Sequence, residues 1–314
     1  MSTTKPELMN MIDEKTRLAG SNKMELLLFS LGGREIFGIN VFKVREVCET
    51  IPITKTPNMP AGVEGIISLR GSILPVLDLA ECLGMSAETP KTKLIITEFS
   101  GHTQAFLVAE VDRIVRVDWD QVKSPQSVSG FNGAKITALT ELPGGRLVSI
   151  LDVEQILSDV IGEEVTPKIE PIAAENPASV FFADDSQLAR KKISEVLEQL
   201  NLPHQSANNG REAWEKLRAI ADRLSEQKET VRSKVGLILV DAEMPEMDGY
   251  VLTKNIKSDS RFEGIPVVMH SSLSSIANKK LGQQVGVDAY VAKFQPEELA
   301  GTIKGMLNNV KEMA

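Results

Sequence analysis

Leu237-Ile238-Leu239-Val240-Asp241 decides how the C-terminal part of this chain reads. An apolar run ends on a lone carboxylate where a predicted strand gives way to a loop. Three further runs repeat the arrangement. Asp184 and Asp185 follow residues 180–183, Ser271 follows Val267-Val268-Met269-His270, and Lys293 follows Tyr290-Val291-Ala292. In a parallel α/β sheet these positions share the carboxyl edge of the strands, where open α/β folds bind ligands. Three acids, a hydroxyl and a lysine are therefore expected to meet.

Working outward, helical spacing of apolar residues predicts helices over 187–200, 211–224, 251–258, 275–285 and 297–308. Strands alternating with helices predict a doubly wound parallel five-stranded sheet. The charged stretch 225–234 reads as solvated surface that lengthens the second helix or its loop. Asp185 or Ser186 also suits the N-cap of the helix that follows, Asp248-Gly249 also reads as a turn signal, and Lys293 as a solvated surface lysine.

Three carboxylates within a few ångströms repel one another unless a cation joins them. A donor set of oxygens without His or Cys favours a hard ion, here Mg²⁺, which leaves positions for water or phosphate. Asp241 can then act as a nucleophile and become an aspartyl phosphate. The Lys293 ammonium would neutralise charge on the transferring oxygens, and Ser271 would donate a hydrogen bond to one of them.

These residues resemble the receiver domains of two-component response regulators. The likeness is carried by Phe182-Ala183-Asp184-Asp185-Ser186, by Val240-Asp241-Ala242-Glu243-Met244-Pro245-Glu246-Met247-Asp248-Gly249, by Pro266-Val267-Val268-Met269-His270-Ser271-Ser272 and by Tyr290-Val291-Ala292-Lys293. It implies that Asp241 accepts a phosphoryl group from a histidine kinase. It implies that Asp185, Asp241 and the backbone carbonyl of Glu243 ligate Mg²⁺ while Asp184 assists through water. It also implies that Ser271 and Tyr290 form a switch pair reporting the phosphate to the outer face. One departure stands out, Phe294 after Lys293 where most receivers have proline. A cis bond before Phe costs ~2.5–4 kcal/mol, so either this loop is trans and sits differently or it carries strain.

The first half is patterned differently. Strand-like runs at 25–31, 35–40, 65–70, 72–77, 93–98, 103–110, 112–117, 135–142 and 146–151 are separated by turn signals such as Arg70-Gly71 and Pro143-Gly144-Gly145, with short helices expected at 77–83 and 152–160. So many short strands predict small β-barrels, and no catalytic set emerges among them, which favours binding over chemistry. Residues 22–160 resemble the CheW-like coupling domains of bacterial chemotaxis. The motifs are Leu28-Phe29-Ser30-Leu31-Gly32, Phe37-Gly38-Ile39, Lys43-Val44-Arg45-Glu46-Val47, Leu69-Arg70-Gly71, Leu74-Pro75-Val76-Leu77-Asp78-Leu79 and Leu147-Val148-Ser149-Ile150-Leu151-Asp152. The resemblance implies two packed five-stranded SH3-like barrels. It places receptor contacts at Val44, Gly65 and Arg70, and it sets a hydrophobic flank against the regulatory domain of the chemotaxis histidine kinase CheA. Arg70 on a tight turn either reaches a carboxylate on another protein or caps the barrel end within its own domain. Ser68 stands just before it where the family has Asn.

At 314 residues the chain has room for two domains. The expected organisation is an N-terminal segment 1–21 with a short surface helix at 6–18, a coupling domain 22–162, an acidic, proline-bearing linker 163–178 and a receiver 179–314. The net charge of −8 and the lack of a basic segment argue against a nucleic-acid partner. Cys48 and Cys82 are too few for a disulfide framework and read as buried small apolar residues. No signal peptide and no bilayer-spanning run is visible, so a cytoplasmic protein without direct membrane insertion is expected. A receiver joined to no DNA-binding or enzymatic output domain must act on its neighbour or on a separate partner. The resemblances together imply an adaptor, not an enzyme beyond self-catalysed phosphoryl chemistry, that couples methyl-accepting chemoreceptors to the kinase at membrane receptor arrays. Phosphorylation at Asp241 would regulate it. The alternatives are a phosphate sink for the kinase and a constitutive scaffold with a vestigial receiver.

Overall fold

The computed structural model describes residues 23–99, 102–123, 125, 135–162, 166–172, 178–272 and 282–312. The segment 1–21 with its expected helix, linker residues 163–165 and 173–177, and positions 275–281 of the fourth expected receiver helix lie outside them. The chain divides into two compact units, 24–164 and 165–314.

Among the described residues the first unit has ten strands in two five-stranded sheets. In chain order they are β1 (Lys23–Ser30), β2 (Ile36–Asn40), β3 (Val44–Glu49), β4 (Val63–Leu69), β5 (Ser72–Asp78), β6 (Lys93–Phe99), β7 (His102–Val108), β8 (Glu110–Asp118), β9 (Ile136–Leu142) and β10 (Arg146–Leu151). Helix α1 (Leu79–Cys82) follows β5 and α2 (Val153–Ile161) follows β10. One sheet runs β8-β1-β2-β10-β9 and the other β3-β6-β7-β5-β4. The two orders match position by position. In each, a hairpin from one half of the sequence completes three strands from the other half, through the parallel pairs β2–β10 and β7–β5.

The duplication extends to the helices. Asp78 closes β5 and accepts from the N–H groups of Ala80 and Glu81, while Asp152 follows β10 and accepts from that of Gln155. Both satisfy donors that a helix start leaves unpaired. Each sheet has its own apolar core, one around Leu26, Leu28, Val148 and Ile150, the other around Ile67, Val76, Leu94 and Ile96. A third core of Phe29, Phe37, Leu77, Phe106, Leu151 and Ile156 joins them.

The second unit is a parallel sheet of order β12-β11-β13-β14-β15, from β11 (Ser179–Ala183), β12 (His204–Ala207), β13 (Val235–Asp241), β14 (Val267–Ser271) and β15 (Ala289–Ala292). Its helices are α3 (Gln187–Gln199), α4 (Gly210–Glu226), α5 (Gly249–Ser258) and α6 (Pro296–Glu312), and residues 282–285 are also helical. Alternation along the strands explains the layering. Phe181, Ile238 and Val240 face α4 and α5, whereas Val180, Phe182, Leu237, Leu239, Val268 and Val291 face α3 and α6.

Linker residues 166–172 lie on this second unit. Ile169 is 8% exposed, its N–H donates to Gln199 Oε1 at 2.8 Å, and the Ile172 N–H donates to the Leu200 carbonyl at 3.0 Å. Thr166 Oγ1 donates to Glu195 Oε2 at 2.5 Å. Two isoleucines scattered among acids and prolines carry no period, which is why the segment reads as tether composition.

Candidate functional site

The sheet order of the second unit reverses direction between β11 and β13, the kind of switch point at which open α/β sheets hold ligands. Asp184 follows β11 and Asp241 ends β13. The Lys293 ammonium lies 2.9 Å from Asp241 Oδ2, and 3.1 and 3.0 Å from the two carboxylate oxygens of Asp184. All three residues are at most 3% exposed. Asp185 is half-buried and brings a carboxylate oxygen within 4.8 Å of those of Asp184 and Asp241. The expected meeting of acids and lysine is therefore formed, and Lys293 is far from being a solvated lysine.

Local interactions hold each group. Asp184 Oδ1 accepts from the Ser186 N–H at 3.0 Å, and Ser186, rather than Asp185, caps α3 by accepting from Ala189. Asp185 is thus left to the site. The Lys293 N–H donates to the Ser271 carbonyl at 3.0 Å, tying the β15 loop to the end of β14. Asp248 caps α5 by accepting from Val251 at 2.7 Å. A Cβ on Gly249 would meet the Asp241 carbonyl oxygen at 1.9 Å. Asp248-Gly249 is therefore more than a turn signal, since its glycine lets α5 start against the backbone of Asp241.

Burial raises the Asp241 pKa well above the usual carboxylate value; Lys293 works against this, and Asp184 and Asp185 add to it. Such a cluster of oxygen donors fits a hard divalent cation, which would relieve the repulsion among them. Asp184, Asp185 and Asp241 could hold one. Ser271 is buried and joined to Tyr290 by a side-chain hydrogen bond. The acids and Lys293 thus meet at one sheet edge, Ser271 ends the neighbouring strand with Tyr290 bonded to it, and Glu243 is half-buried in the loop after β13.

No peptide bond among the described residues is cis, and Phe294 takes φ +60°. The trans alternative for the Lys293 loop is the one observed. The loop turns by placing a bulky residue in the left-handed region, which ordinarily costs roughly 1–2 kcal/mol.

Residues 25–160 match the CheW-like domain and residues 180–304 the response regulator receiver domain. Over 320 aligned residues the chain is 30% identical to the chemotaxis protein CheV2 of Helicobacter pylori, spanning 95% of this chain and 99% of that protein. The chain belongs to the CheV family of chemotaxis proteins. A second relative, CheV3 of Helicobacter pylori, is 30% identical over 91% of this chain and 96% of its own length. Among solved structures, the scaffolding protein TtCheW of Thermoanaerobacter tengcongensis is 30% identical and covers 45% of this chain and 97% of its own, with a TM-score of 0.40.

In this CheV-family chain the residues expected to meet receptors sit on the β3-β6-β7-β5-β4 sheet. Val44 opens β3 and packs partly against the shared core. Gly65 is buried, and a Cβ there would meet Ile53 Cγ2 at 2.4 Å and the Thr54 carbonyl oxygen at 2.7 Å, so close strand approach already accounts for the glycine. Arg70 and Gly71 turn the β4–β5 hairpin with φ +50° and +85°. The Arg70 guanidinium pairs with Glu46 at 2.6 Å while its side chain stays 76% exposed. The in-domain alternative is formed, but an exposed pair of this kind contributes only about 0–1 kcal/mol and yields readily to a competing carboxylate. Ile73 beside the turn is 72% exposed, and Leu147 holds the equivalent place on the β9–β10 hairpin at 67%. Cys48 and Cys82 are only half-buried, each at the edge of a core rather than inside it, and burial raises the thiol pKa of both, Cys82 to about 11.

Two site neighbours escaped the sequence reading. His270 lies buried with Nδ1 4.0 Å from Asp184 Oδ2. It shares the strand face of Val268, so period-two counting from that core residue would have found it. Tyr250, in the first turn of α5, packs with Ala242 and Met269 against Val285, Val287 and Tyr290. A tyrosine at helical spacing carries no signal that sets it apart from core.

Proposed function

We propose that this CheV-family protein is a chemotaxis adaptor whose coupling domain links chemoreceptors to the kinase CheA and whose receiver adjusts that link through phosphorylation of Asp241. The observation that supports the reading most is the Lys293 ammonium bridging Asp184 and Asp241, with Asp185 beside them. An Asp241 oxygen would attack the phosphorus of a kinase phosphohistidine. The P–N bond would break, and the imidazole would leave with its electron pair and take up a proton.

Lys293 would face the transferring oxygens and Ser271 would donate to one of them. Asp184, Asp185, Asp241 and the Glu243 carbonyl would hold Mg²⁺, which when bound neutralises charge on the phosphoryl oxygens. Hydrolysis of the aspartyl phosphate would be self-catalysed, and no reaction on an external substrate is proposed. The phosphorylated form must bind the array or its own coupling domain with a different affinity, since phosphate alone shifts nothing. Among the described residues no helix is long and apolar enough to cross a membrane, and family membership supports a cytoplasmic place beside receptor arrays.

The test is transfer of labelled phosphate from the purified phosphorylated kinase to wild type and Asp241→Ala, with Mg²⁺ and with chelator. Mg²⁺-dependent labelling lost in the variant is expected. Equal labelling of the variant would refute the assignment of Asp241, and no labelling of wild type would leave a constitutive scaffold.

A further inference from the structure

Tyr250 is 5% exposed, and its hydroxyl is buried without a hydrogen-bond partner among the described residues. A phenylalanine would fill the same space at no such cost, because a buried donor left unsatisfied forfeits its interaction with water. The ring packs in an apolar cluster that contains one other phenol, Tyr290. Tyr290 is in turn hydrogen-bonded to Ser271, and Ser271 ends the strand beside Asp241. A buried hydroxyl without a partner thus shares a cluster with Tyr290, whose own hydroxyl is bonded to Ser271 at the end of the strand beside Asp241.

We propose that Tyr250 is a positioning residue that completes a three-hydroxyl relay, Ser271 to Tyr290 to Tyr250, used only in the phosphorylated state. The proposal rests on phosphorylation at Asp241. Once Ser271 turns its hydroxyl to a phosphoryl oxygen, Tyr290 gives up that partner. The Tyr250 O–H then donates to the Tyr290 oxygen, which holds Tyr290 inside the cluster. The unsatisfied hydroxyl of the resting state makes that state less favourable and the phosphorylated one correspondingly more so, as a two-state switch requires.

The chain contains two tyrosines, Tyr250 and Tyr290, so fluorotyrosine labelling gives two ¹⁹F resonances, and Tyr250→Phe or Tyr290→Phe assigns them. The full chain is titrated with Mg²⁺ and beryllofluoride, which takes the place of a phosphoryl group on an aspartate. Both wild-type resonances should shift together. In Tyr250→Phe the Tyr290 shift should shrink and apparent beryllofluoride affinity should fall roughly 2- to 10-fold, the worth of one hydrogen bond. In Tyr290→Phe the Tyr250 resonance should no longer respond. An unchanged Tyr290 shift and affinity in Tyr250→Phe, or a Tyr250 response that survives in Tyr290→Phe, overturns the relay while leaving the phosphorylation site standing. If beryllofluoride moves neither wild-type resonance, the phosphorylation reading fails and the relay falls with it.

Discussion

Asp241→Asn removes one negative charge from the acid cluster and should stabilise the receiver when divalent cations are absent. Each pair of carboxylates lies within 4.8 Å, so at an effective dielectric constant near 20 each repels by about 3.5 kcal/mol. Asp241 takes part in two such pairs, about 7 kcal/mol in all on that scale. Its contact with Lys293 at 2.9 Å returns about 6 kcal/mol. The repulsion and attraction nearly cancel, which leaves the cost of burying the charge as the deciding quantity. Asparagine keeps the size and can still accept from Lys293, so the variant should be more stable in chelator by about 1–3 kcal/mol, a rise in Tm of roughly 3–10 °C.

Calorimetry of the full chain reads this directly. Millimolar Mg²⁺ should raise the wild-type receiver transition more than that of the variant, shrinking or reversing the gap. Lowering the pH should shrink it as well. The raised pKa of Asp241 means that the folded state binds the proton more tightly, so wild-type stability recovers as the carboxyl is neutralised. An asparagine variant less stable than wild type in chelator would refute the picture of crowded, charged acids, and would mean that the lysine contact outweighs everything opposing it.

Three further outcomes are expected. Ile169→Ala should lower receiver stability by about 2–3 kcal/mol through a lost buried side chain, seen as an earlier urea transition for the receiver while that of the coupling domain stays put. Asp248 has its pKa raised by burial to about 6; folded protein therefore binds more protons than unfolded protein between pH ~4 and ~6, and wild-type stability should fall over that window by up to about 3 kcal/mol. Asp248→Asn should flatten the slope, and parallel pH profiles for the two would count against a buried carboxyl at that cap. Phe294→Gly should be tolerated and gain about 1 kcal/mol by relieving the positive φ, whereas Phe294→Pro, fixed near φ −65°, should displace Lys293 and slow phosphotransfer; equal transfer rates for the two would show that the loop does not set the lysine.

The acid edge was legible because its chemistry and its position come from one pattern, an apolar run ending in a polar residue, repeated across β11, β13, β14 and β15. The strands of the first unit were readable from their turns, with one omission. In β3, Val44-Arg45-Glu46-Val47-Cys48-Glu49 carries charges on both faces and few apolar residues, so alternation gives it away only once Val44 and Cys48 are known to point inward. Arg70 could not be resolved from sequence, since its pairing with Glu46 depends on β3 lying near the β4–β5 turn. Lys293 depended on the backbone choice at Phe294. The hydroxyl of Tyr250 is equally hidden, because whether a buried polar atom has a partner is a property of packing and not of spacing.

The exchanged hairpins of the coupling domain bear on how the protein is made. The edge of β2 that will receive β10 leaves the ribosome roughly a hundred residues ahead of its partner, at ordinary synthesis rates a wait of roughly 5–20 s. The three-strand group β3–β5 likewise waits for β6 and β7, which arrive sooner. The second sheet can therefore close while the first hairpin still presents Leu26, Leu28 and an open edge to the cell. A nascent chain cut off after β7 but before β10 yields one finished sheet carrying an unfinished one, a form with the exposed strand edges that invite aggregation.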